Sequence, residues 1–361
     1  MGYSSHPVEG GRGPKMAKKI LLLLSSLLVA VLILEGILRV LQDSPTFMNP
    51  LSSFHRGDEE LGWVGVADFS ARFERPDFDV IVRMDGSGFR AKGAEVVPSE
   101  GAEEVFVLGD SFVWGWGVEE GEVVTDVLQD ELGPGYVVGN FGVNAWGTAQ
   151  AYLLLRRMVE EEERLPKRVY LMVFRNDFSD NLDSSKGARP FIEVGDEGAV
   201  LVNSPVERVF GGSVKALQRN SYLLSVLSYL NNQMKMARRQ KELEEKVIRG
   251  GKSGRVVGGE AREAMAYVLG EMKAFCDGRG IAFSVVYIPQ IEDFVKDDAP
   301  YRAALMEICE GKGVPFVDLL EPMRDEGVGF YFPGDGHWNR AGHQRAGEIL
   351  ARNVGGSHPV R

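Results

Sequence analysis

The chain has 361 residues, of which 44% are hydrophobic and 26% are charged, so it can bury a large core and is not disordered as a whole. Its net charge of -11, without a basic stripe interleaved with aromatic residues, argues against general binding to nucleic acid. No cluster of cysteine and histidine has the spacing of a zinc site, and the sequence predicts no metal and no cofactor.

An apolar run near the N-terminus follows four basic residues, Arg12, Lys15, Lys18 and Lys19. Residues 20–34 carry no charge, but as a helix they would span only about 23 Å of the roughly 30 Å hydrocarbon core. The apolar pattern continues to Leu41, which brings the helix to about 33 Å. Glu35 and Arg39 stand four residues apart, where they can pair on one helix face.

A membrane anchor and a cleaved signal peptide are the two alternatives for this segment. A signal peptide has an apolar region of about 7–15 residues and a small-residue cleavage site, and no A-x-A-like site follows the run. The sequence therefore favours an uncleaved anchor over residues 16–41. The basic flank predicts that the tail, residues 1–15, stays in the cytoplasm and that the remainder is exported.

A polar linker is predicted over residues 42–57, followed by a small β-rich segment over residues 58–102. In that segment apolar and polar residues alternate on both sides of Arg75-Pro76-Asp77, which is typical of a β-hairpin. Three residues of its second strand would share one face, namely Val80, Val82 and Met84.

From residue 103, short apolar stretches alternate with helical patterns. Strands are predicted at residues 105–108, 137–141, 169–174, 282–287 and 315–317. Helical periodicity covers residues 122–132, 148–163, 261–278 and 301–310. This alternation predicts an α/β fold, in which helices cover both faces of a parallel sheet and functional sites lie at the C-terminal ends of the strands.

The predicted catalytic domain covers residues 103–353 and is followed by a tail over residues 354–361. A helical insertion at about residues 184–260 interrupts it, with a loop first and then the helical stretch that begins SYLLSVLSYL. A lid, a membrane-facing element and a solvated surface helix are the alternatives there, and the charged stretch RRQKELEEK favours the last. Cys276 and Cys309 lie in helical patterns, and they are either paired after export or two buried thiols.

Ser111 follows the first predicted strand in Gly109-Asp110-Ser111, where a serine is either a helix cap or a nucleophile. A nucleophilic serine needs a base, a group that orients the base and donors for the oxyanion. The chain has five histidines, of which three lie in the tails and the linker. Of the other two, His337 lies in a loop with Asp335 two residues before it, whereas His343 lies inside the last helix and is interpreted as structural.

Gly142 and Asn176 follow the next two predicted strands and are the candidate oxyanion donors, through a backbone N–H and a side-chain amide. The alternative interpretations are a turn glycine and an Asx cap. Three acidic residues after Asn176 lack the spacing of an EF-hand and favour a solvated loop, namely Asp177, Asp180 and Asp183.

The blocks around Ser111, Gly142, Asn176 and Asp335-Gly336-His337 resemble, in this order, the SGNH/GDSL hydrolase superfamily. The resemblance covers roughly residues 103–183 and 262–353. It implies a flavodoxin-like three-layer α/β/α sandwich with about five parallel strands. It also implies that Ser111 is the nucleophile, that His337 and Asp335 are its base and orienting acid, and that the N–H groups of Ser111 and Gly142 and the Asn176 amide form the oxyanion hole.

Two positions depart from the pattern of this superfamily. Phe174 stands where the third block usually has glycine, which predicts a narrower pocket, and the last block reads D-x-H rather than D-x-x-H. Continued by Trp338, the last block resembles the SGNH-like proteins that O-acetylate alginate and other exported polysaccharides. Trp114 and Trp116 follow the serine and either line a sugar or acyl site or pack beneath it, and packing is favoured.

These features together predict a serine esterase, anchored in the membrane and exported, that hydrolyses an O-acyl ester such as acetyl on a cell-envelope or extracellular glycan. The predicted partners are an acylated small molecule or glycan and the membrane, but not nucleic acid. One alternative is an O-acetyltransferase that works with a membrane acyl-donor protein. The other is a non-catalytic envelope scaffold or glycan-binding protein.

Overall fold

The structure is a computed structural model, and it describes residues 13–41, 53–94, 96–183, 189–206, 221–227, 230, 257–295 and 299–355. The chain divides into two units, Met1–Ser52 with Phe210–Arg249, and Ser53–Val209 with Gly250–Arg361. Most of the two predicted tails, the linker up to residue 52 and the charged part of the insertion lie outside the described residues.

The first unit contains helix α1, Gly13–Leu41. Its part Lys18–Leu41 is long and apolar enough to cross a membrane, and a signal sequence would have the same features. Glu35 and Arg39 form the predicted ion pair, with 2.9 Å between Arg39 Nη2 and Glu35 Oε1. The Glu35 carboxylate also accepts hydrogen bonds from Ser221 Oγ and Leu223 N at the start of a short helix at residues 222–227.

The core of the second unit is a five-stranded parallel sheet, and the chain order of its strands is β5 (Glu103–Gly109), β6 (Tyr136–Gly142), β7 (Arg168–Val173), β10 (Ala282–Tyr287) and β11 (Phe316–Asp318). Across the sheet the order is β11-β10-β7-β5-β6. Numbered along the chain, these five strands run 2-1-3-4-5, which is the flavodoxin-like order. The predicted fold class is therefore confirmed.

Helices cover both faces of the sheet, as the near-continuous apolar strands require. On β5, Phe106 and Leu108 point into one apolar cluster, and Val105 and Val107 point into the other. The helices of this unit are α2 (Ser111–Trp114), α3 (Val124–Leu132), α4 (Thr148–Glu160), α5 (Asp177–Asp180), α6 (Gly259–Asp277), α7 (Ile291–Val295), α8 (Pro300–Lys312) and α9 (Arg340–Val354). Helices α4, α6 and α8 contribute to the first cluster, and α2, α3 and α9 contribute to the second.

Within the described residues before position 103, four short strands precede the sheet. The hairpin of β3 (Ser70–Arg75) and β4 (Phe78–Arg83) is antiparallel, as predicted, and its buried face carries the three predicted residues. Another antiparallel pair, β1 (His55–Asp58) and β2 (Gly62–Gly65), begins inside the predicted linker. The linker prediction is wrong there, because Phe54 is fully buried against the aromatic rings that follow it in the chain.

The first described part of the insertion contains a hairpin rather than a loop. Strands β8 (Phe191–Gly195) and β9 (Gly198–Val202) pair in an antiparallel register and pack on α6. The loop prediction is therefore wrong for this part, since the stretch FIEVGDEGAVLV has a strand on each side of a glycine-bounded turn. Cys276 and Cys309 are free buried thiols, and burial raises the pKa of each to about 12.

Candidate active site

The turn that carries Ser111, the candidate nucleophile, connects β5 to α2 at the C-terminal edge of the sheet and is called the nucleophile turn here. The helix cap in this turn is Asp110, whose Oδ1 accepts the N–H of Phe112 at 3.0 Å. The alternative of Ser111 as a capping serine is therefore not what the structure contains. Ser111 begins the helix, so its backbone N–H belongs to the first helical turn, whose N–H groups have no intrahelical acceptor.

Ser111, His337 and Asp335 lie in one continuous hydrogen-bonded row. The distance from Ser111 Oγ to His337 Nε2 is 2.8 Å, which is within hydrogen-bond reach. On the other side of the imidazole, His337 Nδ1 contacts Asp335 Oδ1. Nδ1–H donating to the carboxylate leaves Nε2 as the acceptor for the serine hydroxyl, which is the arrangement a general base needs.

With the D-x-H spacing, Asp335 can still reach the His337 imidazole because the loop that carries both residues folds back on itself. Gly336 has φ +84°, a left-handed conformation in which glycine is far less strained than other residues, and its N–H donates to Phe332 O at 3.1 Å. The N–H of Phe332 in turn donates to His337 O at 2.8 Å. This closed turn places Asp335 beside the imidazole although only one residue separates the two in sequence.

Asp335 is held as a carboxylate. Burial alone would raise its pKa, but hydrogen bonds from His337 and Trp116 outweigh burial, and its pKa lies below the usual value. The Trp116 indole donates from Nε1 to Asp335 Oδ2 at 3.0 Å. The sequence did not predict this contact, because a tryptophan after the nucleophile gives no sign of which distant loop it meets.

Gly142 lies directly beside α2, and β6 ends there opposite Gly109. A Cβ atom at position 142 would lie 2.2 Å from Trp114 N, so only glycine fits without moving the nucleophile helix. The Gly142 N–H donates to Asn140 Oδ1 at 3.0 Å. An oxyanion role for this N–H therefore requires that it exchange Asn140 for the substrate oxygen.

Asn176 follows β7 and faces the nucleophile turn. Its Nδ2 donates to Asp110 Oδ2 at 3.3 Å and to Asp180 Oδ2 at 2.9 Å, so it is not an Asx cap. To act as an oxyanion donor, this amide has to exchange one of those carboxylates for the substrate oxygen. Phe174 stands two residues before Asn176 and packs on Phe112, with their ring centroids 4.7 Å apart.

The solvated-loop prediction is wrong for Asp177. This side chain is buried, and its Oδ2 accepts the N–H of Phe174 at 2.8 Å. Burial and the nearby charge of Asp110 raise the pKa of Asp177 well above its usual value. Among the described residues, no group of three or more metal-ligating side chains is placed to hold an ion.

His343 lies in α9 and is buried, away from the catalytic row. Its Nδ1 accepts the N–H of Val124 at 3.2 Å, and its ring packs edge-on against Trp338. Burial, helped by the charges of Arg90 and His337, lowers the pKa of His343 to about 3. A histidine held neutral as a backbone acceptor is structural, as its position inside the predicted last helix indicates.

Two residues of the N-terminal β-rich segment support the site, although the sequence did not predict either contact. The buried Arg90 donates from Nη1 to Gly115 O at 3.1 Å and from Nη2 to Val118 O at 2.7 Å, which fixes the chain that follows α2. At the tip of the β3–β4 hairpin, Asp77 Oδ2 accepts the N–H of Gly334 at 3.0 Å, next to Asp335. No local pattern marks either contact, because the partners are far apart in sequence.

The family model of the GDSL-like lipase/acylhydrolase family matches residues 107–345. Among curated proteins, none matches the chain. One similar solved structure is the lipase/acylhydrolase from Enterococcus faecalis, with 11% identity, a TM-score of 0.40 and coverage of 72% of this chain and 98% of that chain. Another is the aryl esterase of M. smegmatis, with 15% identity, a TM-score of 0.38 and coverage of 70% and 98%.

A psychrotrophic esterase from Pseudoalteromonas sp. is also similar, with 13% identity, a TM-score of 0.37 and coverage of 70% of this chain and 97% of that chain. At such identities and scores these likenesses carry no statement about substrate. The family match covers well over half of the chain and contains every residue of the Ser111, His337 and Asp335 row. The protein therefore belongs to the GDSL-like lipase/acylhydrolase family, within the SGNH/GDSL hydrolases, and is a carboxylic ester hydrolase.

Proposed function

We propose that this esterase is an exported protein, held in the membrane by α1, that removes an O-acyl group from an ester. Acetyl on a cell-envelope or extracellular glycan is the substrate we propose. The observation that carries the catalytic part is the 2.8 Å contact between Ser111 Oγ and His337 Nε2, with Asp335 on the far side of the ring. The apolar helix α1 supports the membrane part.

The proposed reaction has two half-reactions. His337 Nε2 takes the proton of Ser111 Oγ while the oxygen attacks the ester carbonyl, and Asp335 stabilises the imidazolium that forms. The tetrahedral intermediate expels the alcohol, which takes the proton from His337, and leaves an acyl group on Ser111. His337 then deprotonates a water molecule, which attacks the acyl carbon. The second tetrahedral intermediate expels Ser111 Oγ, which takes the proton back from His337, and the acid is released.

The oxyanion would rest on donors around the nucleophile turn. The proposed donors are the N–H groups of Ser111 and Gly142 and the amide of Asn176. The last two donors have internal acceptors, Asn140 Oδ1 and two carboxylates. We propose that the oxyanion of the tetrahedral intermediate takes the place of an internal acceptor at each of these two donors.

The test is turnover of p-nitrophenyl acetate by the full-length protein in detergent, together with labelling by a fluorophosphonate. Ser111→Ala should lose both the turnover and the labelling, and His337→Ala should lose the turnover. The matched control is Ser87→Ala in the exposed Asp85–Gly88 turn, which should keep both. Equal activity of the wild type and Ser111→Ala, or no reaction of the wild type with any small ester, would contradict the proposal.

Acyl transfer to a sugar hydroxyl is the alternative within the same chemistry. The residue on which the resemblance to O-acetylation proteins rests, Trp338, is fully buried and packs on Phe112, with their ring centroids 5.0 Å apart. Its position gives no reason to prefer a sugar acceptor over water. The ratio of acetyl released to acetyl transferred, measured with an oligosaccharide in the reaction, separates the two activities.

Anchoring is tested independently of catalysis. The full-length protein should stay in the membrane pellet after carbonate extraction and should keep its N-terminal residues by mass spectrometry. Replacing Leu24 and Leu28 with arginine, which costs about 3 kcal/mol per residue at a helix centre, should release it. A mature protein that begins after residue 41 would show that the segment is a cleaved signal peptide.

A further inference from the structure

Trp116 contacts both members of the base half of the active site. Its Nε1–H donates to Asp335 Oδ2 at 3.0 Å, while Asp335 Oδ1 faces His337 Nδ1. Its ring also stacks on the His337 imidazole, with 4.7 Å between the ring centroids and 16° between the planes. The indole therefore contacts the imidazole by its face and the carboxylate by its N–H.

The indole is held in this position from behind. Phe73, from the β3–β4 hairpin, packs edge-on against it with 4.9 Å between ring centroids, and Phe78 lies at 6.3 Å. The backbone N–H of Trp116 donates to Ser111 O at 3.2 Å. Gly117 has φ +77°, and a Cβ atom there would lie 2.7 Å from ring atoms of Phe78 and Phe332, so the chain turns tightly after the indole.

Trp114, two residues earlier in the chain, packs in the core instead of against the catalytic row. Trp114 is fully buried, and its ring packs against Phe54, Phe73 and the guanidinium of Arg90. Its Nε1 has no hydrogen-bond partner among the described residues. Of the two tryptophans after the nucleophile, one fills the core and the other faces the catalytic row.

We propose that Trp116 is a positioning residue for the catalytic triad, an inference that rests on the proposed function of Ser111, His337 and Asp335. Its N–H fixes Asp335 Oδ2, so that Oδ1 stays directed at His337 Nδ1. Its ring face limits rotation of the imidazole and stabilises the imidazolium that forms when Ser111 loses its proton. The face of an indole attracts a cation, so it suits the His337 imidazolium. The indole N–H donates a hydrogen bond and cannot accept one, so it suits the Asp335 carboxylate.

The decisive variants remove one contact or both. Trp116→Phe keeps a ring face and removes the N–H, and Trp116→Leu removes both. With p-nitrophenyl acetate, we expect kcat to fall roughly tenfold for Trp116→Phe and roughly 100-fold for Trp116→Leu, while KM changes less than about twofold. Trp114→Phe is the matched control, and it should lower the thermal midpoint without moving the pH profile.

The pH profile separates positioning from general packing. The charged and titratable groups around the imidazole are Asp335, Asp110 and His343, and every Trp116 variant retains them. Loss of the ring face removes stabilisation of the imidazolium, so the acid limb of kcat/KM should move to lower pH in Trp116→Leu. A packing defect would lower kcat/KM by the same factor at every pH.

A double-mutant cycle tests the N–H. In the Asp335→Ala background, Trp116→Phe should slow fluorophosphonate labelling of Ser111 less than about twofold, because the acceptor of the Trp116 N–H is gone. Equal losses in both backgrounds would overturn the proposal, as would Trp116→Phe with wild-type kcat. If Trp116→Leu does not fold, the cycle with Trp116→Phe decides alone. An inactive wild type, or an active Ser111→Ala, would instead contradict the proposed function.

Discussion

At the scale of the single residue, the active site depends on glycines at positions where a Cβ atom would clash with the helix that begins at Ser111. Gly142 has Trp114 N within 2.2 Å of where a Cβ would be, and the contact is to backbone, which cannot rotate away. Gly109, at the end of β5, has Val113 Cγ2 at 2.6 Å from its virtual Cβ. The short nucleophile helix therefore sits on two bare strand ends.

Gly142→Ala should displace this helix and with it Ser111. We expect a loss of about 1–3 kcal/mol in the free energy of unfolding, as for other overpacked sites, together with a marked fall in kcat. Urea unfolding and p-nitrophenyl acetate kinetics measure the two effects. Gly135→Ala is the control, because nothing lies within 4 Å of its virtual Cβ. Wild-type behaviour of Gly142→Ala would show that the helix tolerates the shift.

At the scale of the element, the β3–β4 hairpin extends the catalytic fold. Its tip holds the base loop through Asp77 and Gly334, and its aromatic face holds Trp116 through Phe73 and Phe78. The hairpin lies before the first residue of the family match. An element outside the shared domain thus supports the loop that carries Asp335 and His337.

Asp77→Ala removes one acceptor from the base loop. We expect kcat/KM to fall roughly three- to tenfold, because a single partly exposed hydrogen bond contributes about 0.5–1.5 kcal/mol. Asp79→Ala, in the same hairpin, removes an exposed ion pair with Arg72 and should leave kcat/KM unchanged. Equal activities of the two variants would show that the base loop keeps its conformation without the hairpin.

At the scale of the whole molecule, His343 makes stability depend on pH. Burial lowers its pKa to about 3 in the folded protein, whereas an unfolded histidine has a pKa of about 6.5. The unfolded chain therefore binds one more proton than the folded chain between these values. This contribution to stability is complete above pH 6.5 and is lost progressively as pH falls from 6.5 towards 3.

His343→Gln should remove that dependence, because glutamine does not titrate and its Oε1 can accept the Val124 N–H. Between pH 7.5 and pH 5 the wild type should lose about 2 kcal/mol more than the variant in its free energy of unfolding. Urea unfolding at the two pH values gives the difference, in which the contributions of other groups cancel. Parallel losses in both proteins would mean that His343 becomes protonated without unfolding.

The sheet could be predicted because its strands are buried on both sides and read as apolar runs separated by helical periods. The catalytic row could be predicted because only two histidines lie outside the predicted tails and linker, and one of them has an aspartate two residues away. The internal hydrogen bonds of the Gly142 N–H and the Asn176 amide could not be predicted from the sequence, because they depend on the direction in which each group points.

Two further features could not be predicted from the sequence: the β8–β9 hairpin of the insertion and the contacts that support the active site. The β8–β9 hairpin was hidden by the charged helical stretch that dominates the composition of residues 184–260. Trp116, Asp77 and Arg90 each meet a partner outside their own segment, and a single sequence records no such pairing. Local periodicity identifies elements, whereas these contacts exist only after the elements pack.

The hydrogen bonds from Arg90 to the carbonyl groups of Gly115 and Val118 bear on where a truncated form of this enzyme can begin. A fragment that begins at residue 103, the start of β5, keeps every member of the triad and the whole family match. It leaves two backbone carbonyls without their guanidinium donor and uncovers Trp114, which Phe54 and Phe73 now shield from water. We therefore expect the smallest transplantable module of this esterase to start at residue 53, about fifty residues before strand β5.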